Sequence, residues 1–164
     1  MSPKLLPTRR LVLRPFDRGD EDEVFAYWSS DPDWEKFNAS VPSGFTLEDA
    51  RLFVTEIIRR DRTTQPSWAI VHSNKVVGIV SLSYEHQHRS AVIGYGIHAS
   101  LRGRGMVVEA TKRVIRNAFE IHRQLGDLKA NIDPENRASA RVLEKLGFRQ
   151  TGAEYQLLRE DFSL

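Results

Sequence analysis

Apolar residues recur at helical spacing in two long stretches of the chain and alternate with polar ones in several shorter stretches. Leu47, Ala50, Phe53, Val54, Ile57 and Ile58 form one stripe, opened by Thr46 and Asp49 as a capping pair. Val107, Ala110, Val114, Ala118 and Ile121 form a second, which predicts a helix to about His122. Residues 10–16 alternate as a short strand, and Asp17 with Asp20 predicts the cap of a first helix carrying Val24, Phe25 and Trp28. Residues 31–45, with Pro32, Pro42 and Gly44, read as a loop. Residues 67–72 and 76–82, separated by Ser73-Asn74-Lys75, predict a hairpin, and residues 91–98 a third strand after a polar turn holding His86, His88 and Arg89.

Beyond the second long stripe, residues 128–132 read as a strand, so strand, helix and strand imply parallel neighbours joined by a right-handed crossover. Residues 133–136 (DPEN) form a turn and a helix start; that helix runs to Lys145 and closes at Leu146-Gly147-Phe148, a glycine cap. Two short strands, 149–151 and 154–159, finish the chain. The fold class is α/β, with antiparallel hairpins first and a parallel crossover after them.

Composition narrows the chemistry. A chain of 164 residues without repeats or linker composition is expected to form one domain, residues 1–164. The absence of cysteine removes disulfides, thiolate metal sites and a thiol nucleophile. The N-terminus lacks a signal-type apolar region, and no run approaches the ~18 apolar residues of a membrane span, so a cytoplasmic location without membrane association is expected. A net charge of +2 without a basic, aromatic-laced stripe gives no footprint for direct nucleic-acid binding.

The chemistry concentrates at residues 102–107 (RGRGMV), between the third strand and the second long helix. Glycines admit close backbone approach, the first amides of a helix lack internal partners, and two arginines add charge. This pattern fits a pyrophosphate cradle.

Four segments in order, 8–15 (TRRLVLRP), 93–95 (IGY), 102–105 (RGRG) and 133–148 (DPENRASARVLEKLGF), resemble the GNAT superfamily of acyl-CoA-dependent N-acetyltransferases. Within it they are most similar to the ribosomal-protein N-terminal acetyltransferases of the RimJ/RimL type. The resemblance implies a mixed, mostly antiparallel central sheet whose parallel strands splay apart for acetyl-CoA, flanking helices, no metal, and transfer to a primary amine in a ternary complex. It also allows a homodimer. The cofactor-binding set it implies is Gly96, Ile97 and His98 at the strand end, Arg102, Gly103, Arg104, Gly105, Met106 and Val107 in the loop, and Asn136. Val107 departs from the Gly or Ala usual in the motif.

The resemblance also assigns roles. Many relatives place a tyrosine acid seven residues after the asparagine, where this chain has Leu143, whereas the Rim pattern offers Ser139 as proton donor to the departing thiolate, with Asn136 positioning. Read without the family, Asn136 is an N-cap and Ser139 a first-turn serine; Tyr155 is a further candidate acid. The carboxylate that related chains carry at position 92 is Val92 here, which leaves Glu85, His86, His88, His98 or a water relay as base. Tyr95, Trp34 and Phe37 are candidates for the acceptor pocket, Trp28 is assigned to the core, and Gly96 is expected to widen the acceptor side. Lys112, Arg113 and Arg116 read as a solvated face. The acceptor is a ribosomal or other protein N-terminus or a small amine; antibiotic and polyamine acetylation, or an acyl-CoA sensor without catalysis, are the alternatives.

Overall fold

The alternating residues 67–97 build the centre of one eight-stranded sheet in the computed structural model, which describes residues 4–37 and 43–163. β1 (Leu6–Pro7) and β2 (Val12–Arg14) form the first edge, followed by β3 (Ser67–His72), β4 (Lys75–Glu85), β5 (Ser90–Ile97), β6 (Asp127–Ala130), β8 (Glu154–Leu158) and β7 (Arg149–Thr151). Every neighbouring pair is antiparallel except β5 and β6. This is the expected mixed sheet with its strand, helix, strand crossover. The β3–β4 turn is Ser73-Asn74, both at positive φ, because His72 already pairs with Lys75.

Helices flank both faces. α1 (Glu21–Ser29) and α3 (Leu47–Arg59) pack around Tyr27, Trp28, Val54 and Ile57 against Ala69 and Val76. α4 (Met106–Ile121) and α5 (Arg137–Lys145) cover the other face, where Val80, Ile93, Ala110, Val114 and Leu143 meet in the larger core. Thr46 and Asp49 form the expected capping box of α3. Gly147 at φ +91° ends α5, as the sequence implied.

Several expectations are corrected. The loop assigned to 31–45 contains α2 (Pro32–Phe37): Asp31 Oδ1 accepts from the Asp33 N–H at 3.0 Å, and Pro32 occupies the first helical position. Asp17 and Asp20 do not cap α1 through side chains; the Asp20 carboxylate takes both Arg14 guanidinium nitrogens at 2.8 Å instead. The strand at 10–16 shortens to β2, and the strand at 128–132 ends at Ala130. Ile121, counted in the apolar stripe, is 58% exposed because α4 has run past the edge of the core there. Among the described residues no helix is long and apolar enough to cross a membrane.

Candidate active site

The sheet opens between β5 and β6. They pair only at Ser90–Asp127, Ala91–Leu128 and Val92–Lys129, although β5 continues to Ile97. The His98 N–H donates to the Val77 carbonyl at 2.7 Å, and antiparallel alternation then turns the Gly94 and Gly96 amides toward β4. The C=O of Ile93 and the N–H and C=O groups of Tyr95 and Ile97 therefore face the split beyond the last β5–β6 pair, and they have no strand to pair with there.

The loop at the end of β5 supplies a second row of unpaired donors. Gly103 and Gly105 lie at φ +75° and +72°, a left-handed conformation that side chains rarely adopt, and Gly105 is the N-cap of α4. The first intrahelical bond is from the Glu109 N–H to the Gly105 carbonyl at 3.0 Å. Among the described residues the N–H groups of 103–108 have no acceptor, so the loop presents donors where the helix dipole is positive. Met106 is buried, and Val107 packs against the core; the valine that departs from the motif thus points away from the donors.

Arg102 behaves differently from the rest of this loop. Its N–H donates to the Ala99 carbonyl at 3.2 Å, and its guanidinium clasps the Asp31 carboxylate and reaches Asp33 at 3.1 Å. Its backbone N–H is thus engaged by Ala99 and both Nη atoms on the α2 side, which leaves Nε for a ligand. Behind the loop, Glu109 accepts from Thr8 Oγ1 at 2.7 Å and from the Arg10 N–H and Nε at 2.9 and 2.7 Å, while Arg10 Nη1 donates to the Arg104 carbonyl at 2.9 Å. The 8–15 segment thus latches the first turn of α4. Against the opposing effect of burial, the Thr8 and Arg10 hydrogen bonds hold the Glu109 carboxyl below its usual range.

On the α5 side, Asn136 is the N-cap and its Oδ1 accepts from the Ser139 N–H at 3.0 Å. The Tyr95 hydroxyl donates to the Ser139 carbonyl at 3.1 Å, so Ser139 is held through both of its backbone groups. Burial pushes the Tyr95 phenol up to about 12, which keeps it a neutral donor. Tyr95 is a tether between β5 and α5, a role its sequence position did not reveal. Leu143 is fully buried, filling the position of the absent tyrosine with core, and Tyr155 is likewise buried.

The opposite face of the split is aromatic. A Cβ at Gly96 would stand 2.8 Å from the Tyr27 hydroxyl and 3.4 Å from the Trp34 ring, so the missing side chain creates no open space: Tyr27 and Trp34 fill it. Trp34 stacks on Trp28 at 4.2 Å, and Trp28 is core, as expected. Phe37 ends α2, with Lys36 over its ring at 4.9 Å. Lys36 also pairs with Glu135 at 3.4 Å, so α2 spans from the phosphate loop, through Asp33, to the turn before α5. Tyr27 and Asp31 were missed from sequence because both read as ordinary helix and loop residues; Asp31-Pro32 was the available signal.

The other base candidates stand apart. Glu85 pairs with Ser90 at the closed end of β5, five positions and roughly 16 Å from Tyr95. His86, Gln87 and His88 form a turn with all three φ values positive. His88 Nε2 donates to the Thr63 carbonyl at 2.8 Å and its ring stacks on His122 at 4.4 Å. His98 lies near the split, but its Nδ1 accepts from the Ser100 N–H at 3.1 Å, so that nitrogen is already engaged.

A mixed sheet splayed beside a glycine-arginine helix start defines an acyl-transferring class of enzyme. The chain belongs to the family described as the Acetyltransferase (GNAT) domain, whose model matches residues 10–149, and it is an acetyltransferase. It is 30% identical over 149 residues to the uncharacterized N-acetyltransferase YnaD of Bacillus subtilis (strain 168), covering 90% of this chain and 84% of that protein. A GNAT-family acetyltransferase from Bacillus anthracis superimposes with a TM-score of 0.82 at 25% identity, covering 96% and 99% of the two chains. Mycobacterium smegmatis RimJ in complex with CoA-disulfide gives 0.85 at 20% identity, covering 100% and 93%, a likeness of fold.

Proposed function

We propose that this acetyltransferase moves the acetyl group of acetyl-CoA to a primary amine, either a protein N-terminus of the RimJ/RimL kind or a small amine, by direct attack in a ternary complex. One observation carries the reading: the unpaired edge of β5 at Tyr95 and Ile97 is followed, one short turn later, by the unpaired amides of residues 103–108. An extended amide-bearing arm ending in a diphosphate matches both rows at once. The residues present therefore fit acetyl-CoA, with Gly96, Ile97 and His98 lining its arm and Gly103 to Val107 its phosphates. Arg102 then serves from outside the phosphate contact, through Asp31.

Acetyl-CoA supplies an activated thioester. The chain's own groups do the rest. N–H groups of β5 facing the split donate to the carbonyl oxygen as charge develops on it. Ser139 Oγ, fixed by Asn136 and Tyr95, donates to the departing sulfur. An amine is mostly protonated at neutral pH, so a proton must leave before attack. A water held by the split's backbone carbonyls relays it to bulk solvent, since Glu85, His86 and His88 are remote and His98 Nδ1 already accepts from the Ser100 N–H. The acceptor enters past Trp34 and Phe37, on the α2 side.

An amine panel with acetyl-CoA, following free-thiol release and including peptides of different N-termini, polyamines and aminoglycosides, tests this reading. Turnover with N-terminal peptides above the small amines is expected. Tight acetyl-CoA binding with no turnover on any amine would replace the enzyme by a sensor.

A further inference from the structure

The molecule carries a second recess, away from the split. It lies beside the last turns of α4, holds about 570 Å³, and is lined by Arg116, Phe119, Glu120, Arg123, Arg159 and Phe162. That volume falls within the range of small-molecule sites. Arg116 is ten residues beyond Met106, about 15 Å along the helix from the phosphate loop.

Its charges are uncompensated. Among the described residues Arg116 and Arg123 form no ion pair, although Glu120 is one helical turn from Arg116 and three positions before Arg123. Arg116 Nε is buried without a hydrogen-bond partner, an arrangement that costs free energy until an acceptor arrives. Arg159 is built in: its Nε donates to the Leu125 carbonyl at 2.6 Å, its Nη2 to the Phe119 carbonyl at 3.0 Å and the His122 carbonyl at 2.5 Å, and its guanidinium lies 4.6 Å over the Phe119 ring. Carbonyls fix that arginine in place without cancelling its charge. Phe119 and Phe162, 5.5 Å apart, supply an aromatic wall.

We propose that this recess is a binding site for a 5′-nucleoside monophosphate, distinct from the acetyl-CoA site. Three arginines less one glutamate leave two positive charges, which match a phosphate monoester of about −1.5 to −2 at neutral pH better than a single carboxylate. Arg116 and Arg123 take the phosphate oxygens, and the base lies against Phe162, which the buried Phe119 backs. The reading of Lys112, Arg113 and Arg116 as a solvated face is incomplete on this account, since Arg116 lines a recess and Arg113 Nη1 is also buried without a partner.

The test is calorimetry of the full chain with AMP, inorganic phosphate and adenosine as probes, in saturating acetyl-CoA so that any adenine affinity of the split is blocked. AMP should bind at one site with a dissociation constant below about 1 mM, and phosphate and adenosine should each bind at least about tenfold more weakly. Arg116→Gln and Arg123→Gln, chosen because neither supports the fold as Arg159 does, should each weaken AMP about tenfold or more and leave acetyl-CoA affinity unchanged. Absence of AMP binding overturns the proposal. So does AMP binding that acetyl-CoA displaces, that both substitutions leave unaltered, or that phosphate alone equals.

Discussion

Arg102 and Asp31, 71 positions apart in sequence, form a clasp in which both guanidinium Nη atoms reach one fully buried carboxylate. It joins the glycine-arginine loop to the start of α2. On the proposed reading of the site, Arg102 is thereby a positioning residue between the two substrates. Arg102→Ala strands the buried Asp31 charge and should lower stability by about 2–4 kcal/mol, toward the lower figure because Arg102 keeps solvent contact. Adding Asp31→Asn should recover part of that loss. Urea denaturation of both single variants and the double variant measures the coupling; strictly additive losses would show that the clasp is incidental.

The same clasp predicts a kinetic division. Asp31→Asn should raise the KM for the amine about tenfold through misplacement of α2, with acetyl-CoA affinity within about threefold of wild type. An acetyl-CoA defect larger than the amine defect would return Arg102 to direct phosphate binding.

The latch of Thr8 and Arg10 on Glu109 makes stability depend on acid. The Glu109 carboxyl is lower in the folded chain than its ordinary value of 4.5, so its contribution is fully present above that value and is lost as pH falls through the folded value. Glu109→Gln should lower the melting temperature at pH 7 and shrink the fall between neutral and acidic buffer. Equal acid sensitivity of variant and wild type would contradict the latch.

His86, Gln87 and His88 all occupy left-handed backbone, at φ 49°, 57° and 64°. Each non-glycine residue there costs about 1–2 kcal/mol, partly offset in a glycine replacement by lost chain entropy. Gln87→Gly should therefore raise stability by about 0.5–1 kcal/mol, a melting-temperature gain of roughly 1–4 °C. A loss would mean that the Gln87 side chain supports the turn.

Much of the fold was legible because its signals are local. Thr46 with Asp49, the glycine after Leu146 and the stripe of α4 each state their element within a few residues. The backbone of the candidate site was legible at Gly103 and Gly105, which hold positive φ, and at Asn136, which caps α5. What escaped depends on contacts across the chain. Nothing near Arg102 announces Asp31, nothing near Tyr95 announces the Ser139 carbonyl, and the space at Gly96 looked open until Tyr27 and Trp34 were placed against it. The bases proposed from the β4–β5 turn failed to approach the split because turn and loop lie at opposite ends of one extended strand.

On the proposed mechanism Ser139 and Tyr95 divide chemistry from positioning. Ser139→Ala should lower kcat by about 10²–10⁴ with little change in the KM for acetyl-CoA. Tyr95→Phe removes only the tether and should cost about tenfold in kcat, with no new ionisation in the pH profile because the phenol stays neutral throughout the working range. A larger loss from Tyr95→Phe than from Ser139→Ala would exchange their roles.

The central claim is that the amides of residues 103–108 receive the diphosphate of acetyl-CoA, and calorimetry of acetyl-CoA with wild type and Gly105→Asp tests it most directly. Gly105 holds a left-handed backbone at the N-cap of α4, so an aspartate adds both strain and a negative charge at the donors. The wild type should bind one acetyl-CoA per chain, and Gly105→Asp, still folded by circular dichroism, should lose at least about a hundredfold in affinity, near 2.7 kcal/mol. Unchanged affinity in the folded variant would contradict the assignment.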